Sequence, residues 1–470
     1  MYITVAKYFA NGEFAKGLSL YPMPLYPLLL VFVHFLIPDW IVSGYVVSIT
    51  SMILATIPLY YITKTLFGIK PAFWASVIFA LLPEFNKWSF YISRDALFLF
   101  IFGSAIYFSW QSVKKTDPLI FISTFILAWI SILIRIEGIL FIPFYFCTLV
   151  LFAIINRELR HHFLLRSIIW AGIPLCIFTA AFLAADTNGI AVNRFDWVFL
   201  KLVQILNGSF TDKYHQIYDF FAKAENHAPF SGEKYNFVYM TRHYMLIIYL
   251  LGIVEIISKL IFPLSLATLF LGLKNKLRSS GIFILCLGFV FILLVYYNVL
   301  TRDFIARRFL MIPAFLLLPW VGLGVEKLIL KINTTAYKKL IILLISLTFL
   351  APALKTINLT LDKDTSSPLE AQWLTENIKN DKIKIVTNHK NVSFYINLER
   401  EEKIDWEILF YDQRKNKNFE KFAFKRNAKI IILKIKNRKL PHNPQFQYYR
   451  KIKSFYSKEY TTYIYDKIIE

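Results

Sequence analysis

The chain has 470 residues, 57% of them hydrophobic, and a mean hydropathy of +0.50. A soluble chain of that length divides into two or three polar-surfaced domains, whereas here apolar runs recur along the first three quarters of the sequence. The formal charge of +22 is assigned to basic loops facing anionic lipid, not to nucleic acid binding.

The opening residues, Met1-Tyr2-Ile3-Thr4-Val5-Ala6-Lys7, have no charged segment leading into an apolar stretch, so they are not a signal peptide. They read as the middle of an amphipathic helix. A shallow or re-entrant apolar segment follows at Leu25–Ile37. Runs approaching the roughly 20 residues that cross a bilayer then predict ten spans. The first five are Ile41–Ile62, Pro71–Leu82, Ala96–Ser112, Pro118–Ile134 and Gly138–Ile155. The others are Leu164–Ala184, Tyr244–Leu273, Gly281–Leu300, Phe309–Val325 and Leu340–Ile357. The fold class is therefore an α-helical polytopic membrane protein of about 10–11 membrane helices. Cys147, Cys176 and Cys286 each lie inside an apolar run and read as buried small hydrophobes. His161-His162 belongs to a basic loop, and the histidines show no ligand spacing.

Loop charge orients the spans. Lys64 and Lys70, Lys114 and Lys115, Arg157 and Arg160, Lys274 to Arg278, and Lys327 to Lys339 fall in alternate loops, which the positive-inside rule makes cytoplasmic. The outer loops are then 1–24, 83–95, the turn at Arg135–Glu137, 186–243 and 301–308. The length of Asp186–His243 itself marks it as functional. The transmembrane domain is 1–357. Residues 358–470 form a small extracytoplasmic α/β domain, opened by a helix with Ser367 as N-cap and Pro368 at its first position. Strands are predicted at Ile383–Thr387, Phe394–Leu398 and Ala428–Leu433, and a closing hairpin from Tyr448–Ile452 and Thr461–Tyr465.

Ionisable groups near the bilayer are costly, which makes three outer clusters the functional candidates. The first is Glu84 and Lys87 with Ser93-Arg94-Asp95, where Asp95 either caps the next helix or presents a carboxylate at the bilayer lip. The second is Arg135-Ile136-Glu137-Gly138, either an ion pair or an arginine aimed at a phosphate. The third is Arg302-Asp303 with Arg307-Arg308-Phe309, either snorkelling arginines or an anion site. A lipid phosphate or pyrophosphate suits the arginines, and a neighbouring carboxylate suits a base or a metal.

Four stretches carry a family likeness: Tyr21-Pro22-Met23-Pro24-Leu25-Tyr26-Pro27-Leu28, Ser93-Arg94-Asp95-Ala96-Leu97-Phe98, Leu133-Ile134-Arg135-Ile136-Glu137-Gly138, and Arg307-Arg308-Phe309-Leu310-Met311-Ile312-Pro313 with Gly322-Leu323-Gly324-Val325-Glu326. In that order they resemble motifs of the GT-C superfamily of membrane glycosyltransferases. The branch most similar holds dolichyl-phosphate-mannose protein mannosyltransferases and lipid A aminoarabinose transferases. Glu370-Ala371-Gln372-Trp373-Leu374 resembles part of that family's outer tail. The resemblance implies a multi-pass protein of the plasma (inner) membrane. It would move a sugar from a polyprenyl-phosphate donor to a lipid, glycan or protein acceptor at the outer face, among membrane lipids. It implies Asp95 and Glu137 as catalytic candidates, and Arg135, Arg302, Arg307 and Arg308 at the donor phosphate. Tyr2, Tyr26, Glu84 and Arg94 would position the acceptor. It implies no definite cofactor, a divalent metal being the one candidate, and puts Asp95 near the acceptor or that metal. Arg135→Ala and Arg307→Ala are each expected to weaken donor use more than folding.

The family's principal acid precedes a Tyr and an Ala-Lys helix, but here Met1 stands directly before Tyr2-Ile3-Thr4-Val5-Ala6-Lys7. The expectation is that this sequence is N-terminally truncated, the first helix and that acid lying upstream. Two other readings stay open: a flippase for a lipid-linked saccharide, and an inactive lipid-binding scaffold.

Overall fold

The computed structural model describes residues 1–173 (save 116 and 171), 215–216, 219, 237–274, 279–302, 305–331, 338–361, 366–377, 383–388, 407–410, 418–436, 445–456 and 460–468. The chain forms two compact units, Met1–Thr356 and Ile357–Glu470.

The first unit is helical. It begins with α1 (Tyr2–Ala10), α2 (Phe14–Leu20) and α3 (Leu25–Leu36), followed by α4 (Trp40–Phe67) and α5 (Ile69–Leu81). The short α6 (Pro83–Ser89) leads to α7 (Asp95–Lys115), α8 (Pro118–Ile134) and α9 (Phe141–Ile155). Side-chain caps fix the starts of two of them. The Asp39 carboxylate accepts from the backbone N–H of Ile41 at 2.7 Å and of Val42 at 2.9 Å, starting α4, and Asp117 does the same for Leu119 at the start of α8. Gly68, at φ +99°, turns the chain sharply from α4 into α5. The long outer loop 186–243, apart from a few residues and its final turn of helix, lies outside the described residues, as do the last eleven residues of the predicted span Leu164–Ala184.

Five helices among the described residues are long and apolar enough to cross a membrane: Trp40–Phe67, Asp95–Lys115, Ile136–Ile155, Ser279–Val299 and Arg307–Lys331. α3, α5 and α8 are shorter apolar helices, and a further helix runs Lys338–Leu361. Burial ranks them. The Arg307–Lys331 window is 83% buried, against 39% for Trp40–Phe67. The Met311–Lys331 helix is thus the central post of the unit. Apolar residues on the outer helices, among them Phe35, Leu119 and Ile168, lie on the outside, where lipid supplies the apolar surroundings.

Three expectations are corrected here. Tyr244–Leu273 is not one straight helix. The Phe237–Ile261 helix ends before Pro263–Leu273 begins, the two being bent by 107°. Pro263 has no N–H to offer the helix and disfavours helical geometry in the residue before it, and Phe262 sits at φ +73°. Cys147 and Cys286 are exposed on their helices and face outward. Asp95 is the first helical residue of α7, and its carboxylate reaches across to Arg135 in place of its own helix N-terminus.

The glycine pattern Gly322-Leu323-Gly324 proves to be a packing surface. A Cβ on Gly324 would collide with the backbone carbonyl of Thr268, and one on Gly322 with that of Pro71. The central helix therefore touches the Pro263–Leu273 helix and α5 backbone to backbone, as small residues allow between membrane helices.

The second unit is a three-layer α/β structure. Its strands are β1 (Lys384–Thr387), β2 (Glu407–Phe410), β3 (Ile430–Lys436), β4 (Tyr449–Tyr456) and β5 (Tyr460–Lys467), in the order β2-β1-β3-β5-β4. β1 lies parallel to β2 and β3; β5 is antiparallel to β3 and β4. Strand alternation sorts the core onto two faces. Ile385, Ile430, Ile432 and Ile464 pack with Ala371 and Leu374 of the Ser366–Asn377 helix. Val386, Ile431, Tyr463 and Tyr465 pack with Ala423 of the Phe419–Lys425 helix. The first of these helices starts at Ser366, one residue before the predicted cap. The hairpin falls where expected, the predicted strand Phe394–Leu398 lies outside the described residues, and β2 and the Phe419–Lys425 helix were not foreseen. Glu370 and Lys434 are both buried in this unit, 3.8 Å apart.

Candidate functional site

The three charge clusters, far apart in sequence, converge in the first unit. Arg135 stands at the C-terminal end of α8 in extended conformation (φ −145°, ψ 132°), and a 3-10 turn, Ile136–Leu140, follows it. Gly138 is needed in that turn: a Cβ there would lie 2.7 Å from Ser131 Oγ and 3.0 Å from the backbone of Ile132. The turn folds Glu137 back onto its neighbour, so Arg135 donates to both Glu137 oxygens, at 2.9 and 3.2 Å. The same guanidinium donates to Asp95 at the start of α7. Arg135 and Asp95 are each 4% exposed. The plane of Arg135 lies between the rings of Phe98, 5.3 Å from its centroid, and Phe309, 5.9 Å away. A cation so placed gains from both ring faces as well as from its two carboxylates.

Arg94, next to Asp95, turns the other way. It donates to the Tyr21 hydroxyl and, at 3.1 Å, to the Ile134 carbonyl, one residue before Arg135. Burial, and then the like charge of Arg135, press its guanidinium below its usual pKa. Tyr2 of α1 closes this side, its ring edge-on to Tyr21 and to Tyr26 at 5.2 Å each. Burial raises the Tyr2 phenol pKa, and Arg94, Asp95, Arg135 and Arg308 are all close enough to act on it. Tyr2 therefore faces the charged cluster. The Tyr26 hydroxyl, beside it, pairs with Ser48 of α4 at 3.1 Å in a buried contact.

At the rim, Glu84 of α6 accepts from Arg307 at 2.7 Å, across 223 residues of sequence. The Glu84 side chain is 8% exposed and that of Arg307 46%. Arg308 is exposed, with its guanidinium 5.4 Å from the Phe309 ring centroid. Phe309 thus has Arg135 and Arg308 both against it. Arg302 ends the Ser279–Arg302 helix. The site is layered: a buried network of Asp95, Arg135 and Glu137, a wall of Arg94, Tyr2 and Tyr21, and a half-open rim of Glu84, Arg307 and Arg308.

Among the described residues no three His, Cys, Asp or Glu side chains come together as metal ligands. The carboxylates of Asp95 and Glu137 both face the Arg135 guanidinium, a cation already in the place a metal would take. The described residues do not fit a divalent ion. Sequence reasoning missed four partners: Tyr21 for Arg94, Ser48 for Tyr26, and the two phenylalanines beside Arg135. Phe98 and Phe309 each end a motif already singled out for its charges, and an aromatic beside an arginine at a helix start was the available signal.

Residues 21–184 match the family model described as dolichyl-phosphate-mannose-protein mannosyltransferase. That stretch contains Tyr21, Tyr26, Glu84, Arg94, Asp95, Arg135 and Glu137. No curated protein matches the sequence. Among solved structures, the oligosaccharyltransferase AglB of Archaeoglobus fulgidus, in complex with an inhibitory peptide and a dolichol-phosphate, aligns at 13% identity with a TM-score of 0.44. The alignment covers 87% of this chain and 61% of AglB, so the chain spans about three fifths of that protein's length. ArnT of Cupriavidus metallidurans, bound to undecaprenyl phosphate, aligns at 11% identity and TM-score 0.45, covering 94% of this chain and 87% of ArnT. Over residues 21–184, the stretch that holds most of the site, the chain is thus similar to the dolichyl-phosphate-mannose-protein mannosyltransferase family.

Proposed function

We propose that this chain transfers a sugar from a polyprenyl-phosphate donor to an acceptor hydroxyl at the outer face of the plasma membrane. The observation that carries the reading is the convergence of three charge clusters on one site whose arginine rim is open. Arg307 is half-exposed and Arg308 exposed, while the arginine beneath them is engaged by two carboxylates. In transfer, the acceptor oxygen bonds to the anomeric carbon, the bond from that carbon to the phosphate oxygen breaks, and negative charge grows on the lipid phosphate. Arg307 and Arg308 are placed to offset that charge. Asp95 and Glu137 both accept from Arg135 and serve to fix it. The acceptor hydroxyl gives its proton to a general base as the new bond forms. The outer-face assignment, including that of the second unit, is supported by the alternation of basic loops.

The test is sugar release from a polyprenyl-phosphate-sugar by the full-length membrane protein in detergent or vesicles. Arg307→Ala and Arg308→Ala should each lower donor use about 10- to 100-fold, the cost of a lost charge-assisted contact of roughly 1.5–3 kcal/mol, with unchanged melting for Arg308→Ala. Wild-type rates in both variants would overturn the site. Donor bound but never cleaved would make the chain a lipid-binding scaffold, and donor moved across vesicles without cleavage would make it a flippase.

A further inference from the structure

The second unit carries a surface that the transfer chemistry does not use. On the Phe419–Lys425 helix, Phe419, Phe422 and Ala423 pack inward against the sheet. Helical spacing then sends Lys421, Phe424 and Lys425 outward together, and all three are exposed. Phe424 is 46% exposed and does not stand alone. The ring of Tyr448, itself 44% exposed, lies 4.6 Å from it, and Lys467 Nζ sits 5.1 Å over its face. Lys467 is fixed there by Asn427, whose Oδ1 accepts from Nζ at 2.8 Å. Asn427 is at φ +53°, just after the exposed Arg426. On the same face of the sheet, Lys451 of the edge strand β4 lies over the Tyr463 ring. Glu420 lies on this helix, and its carboxylate accepts from the backbone N–H of Tyr448 at 2.8 Å.

Two half-exposed aromatic rings in contact, bordered by lysines and an arginine, form neither a purely solvated charge run nor an apolar groove. Exposed rings cost free energy in water, and cations beside them repel a second basic surface. Both costs are relieved in one environment: the headgroup layer of an anionic membrane, where aromatic rings settle at the lipid–water boundary and lysines meet lipid phosphates. We infer that the Phe424–Tyr448 ring pair and the surrounding cations Lys421, Lys425, Arg426, Lys451 and Lys467 are a docking surface for anionic phospholipid headgroups. The unit that bears it is covalently joined to one with membrane-spanning helices, so such a surface is always at hand. The inference does not depend on the chain being a transferase.

Hydrogen exchange of the full-length protein in lipid nanodiscs tests it. The amides of 419–426 and of 448 should exchange more slowly in discs rich in phosphatidylglycerol than in discs of phosphatidylcholine, and the difference should fade with added salt, which screens charges over about 8 Å at physiological strength. In a Lys421→Glu/Lys425→Glu variant the lipid-dependent slowing should fall by at least five-fold for each charge removed, while β3 and β5 exchange as before, showing the unit intact. Phe424→Ser should weaken the slowing without altering its salt dependence. Equal exchange in the two lipids, or slowing that survives the charge reversal, overturns the inference. So does protection by a soluble acidic polysaccharide in neutral discs with none from anionic lipid.

Discussion

Arg135 shows how charge is made tolerable at this depth. A buried guanidinium with one carboxylate would keep unused donors; with Asp95, Glu137 and two ring faces it is surrounded by groups that favour its charge. The reading of Arg135 as a donor-phosphate ligand therefore yields to a positioning one. A phosphate would have to displace a carboxylate, whereas Arg307 and Arg308 at the rim need no such exchange. Arg135→Ala would strand two buried acids, and removing one partner of a buried pair costs about 3–5 kcal/mol. For this variant the buried network predicts a folding loss at least as large as the loss of donor use expected from the sequence. Thermal melting in detergent should show a large loss for Arg135→Ala, which strands two acids, and a smaller one for Arg307→Ala, which strands only Glu84 at the half-open rim. Comparable melting points for the two would refute the assignment. The sequence could identify Arg135, Glu137 and Asp95 as special because charge interrupts apolar runs there. It could not say that they satisfy one another, because the contact between Arg135 and Asp95 spans 40 residues.

At the scale of elements, apolar run length located the membrane helices well and their breaks poorly. Asp39, Asp117 and Gly68 are local signals, and the helices they bound start and stop close to where the sequence puts them. The bend at Phe262 was missed because apolar residues continue through it and hydropathy alone cannot register a proline that ends one helix and begins another. The glycines of the central helix were legible as a motif, but their role depends on Thr268 and Pro71, on other helices. Gly324→Ala forces a methyl onto the Thr268 carbonyl and should destabilise the unit by about 1–3 kcal/mol or more. Gly252→Ala, on the Phe237–Ile261 helix with nothing within 4 Å of the added carbon, should be neutral or stabilising by up to about 1 kcal/mol. Paired melting curves check this, and equal effects at the two sites would remove the close-packing argument.

Across the whole molecule, two units with different cores respond to different stresses. Hydroxyls matter in the second unit. Burial pushes the Tyr449 phenol up to about 12, its hydroxyl donating to the Ala428 carbonyl at 2.9 Å, and burial raises Tyr465 as well. An unfolded tyrosine titrates near 10, so these groups contribute stability that is whole below pH 10 and is lost as pH rises toward about 12. Circular dichroism should then show the α/β unit melting in that window while the membrane helices, buried in apolar surroundings, persist. Tyr449→Phe should flatten the dependence; an unchanged alkaline profile would mean the phenol does not drive it. That a basic α/β unit follows the membrane helices was visible in composition, since polar strands and caps replace long apolar runs after Asn358. Its strand order was not, because β1 lies between two partners from later in the chain.

The pair of Glu84 and Arg307 has a consequence in time. A ribosome adding about 5–20 residues per second makes Asp95 wait only seconds for Arg135. Glu84 waits for an arginine 223 residues downstream, which is roughly 10–45 s of synthesis at that rate. Through that interval a carboxylate destined for burial stands in the nascent chain without its countercharge. A message that ends early leaves that acid without its partner, and the half-made protein differs from the finished one in a way that cellular quality control can detect.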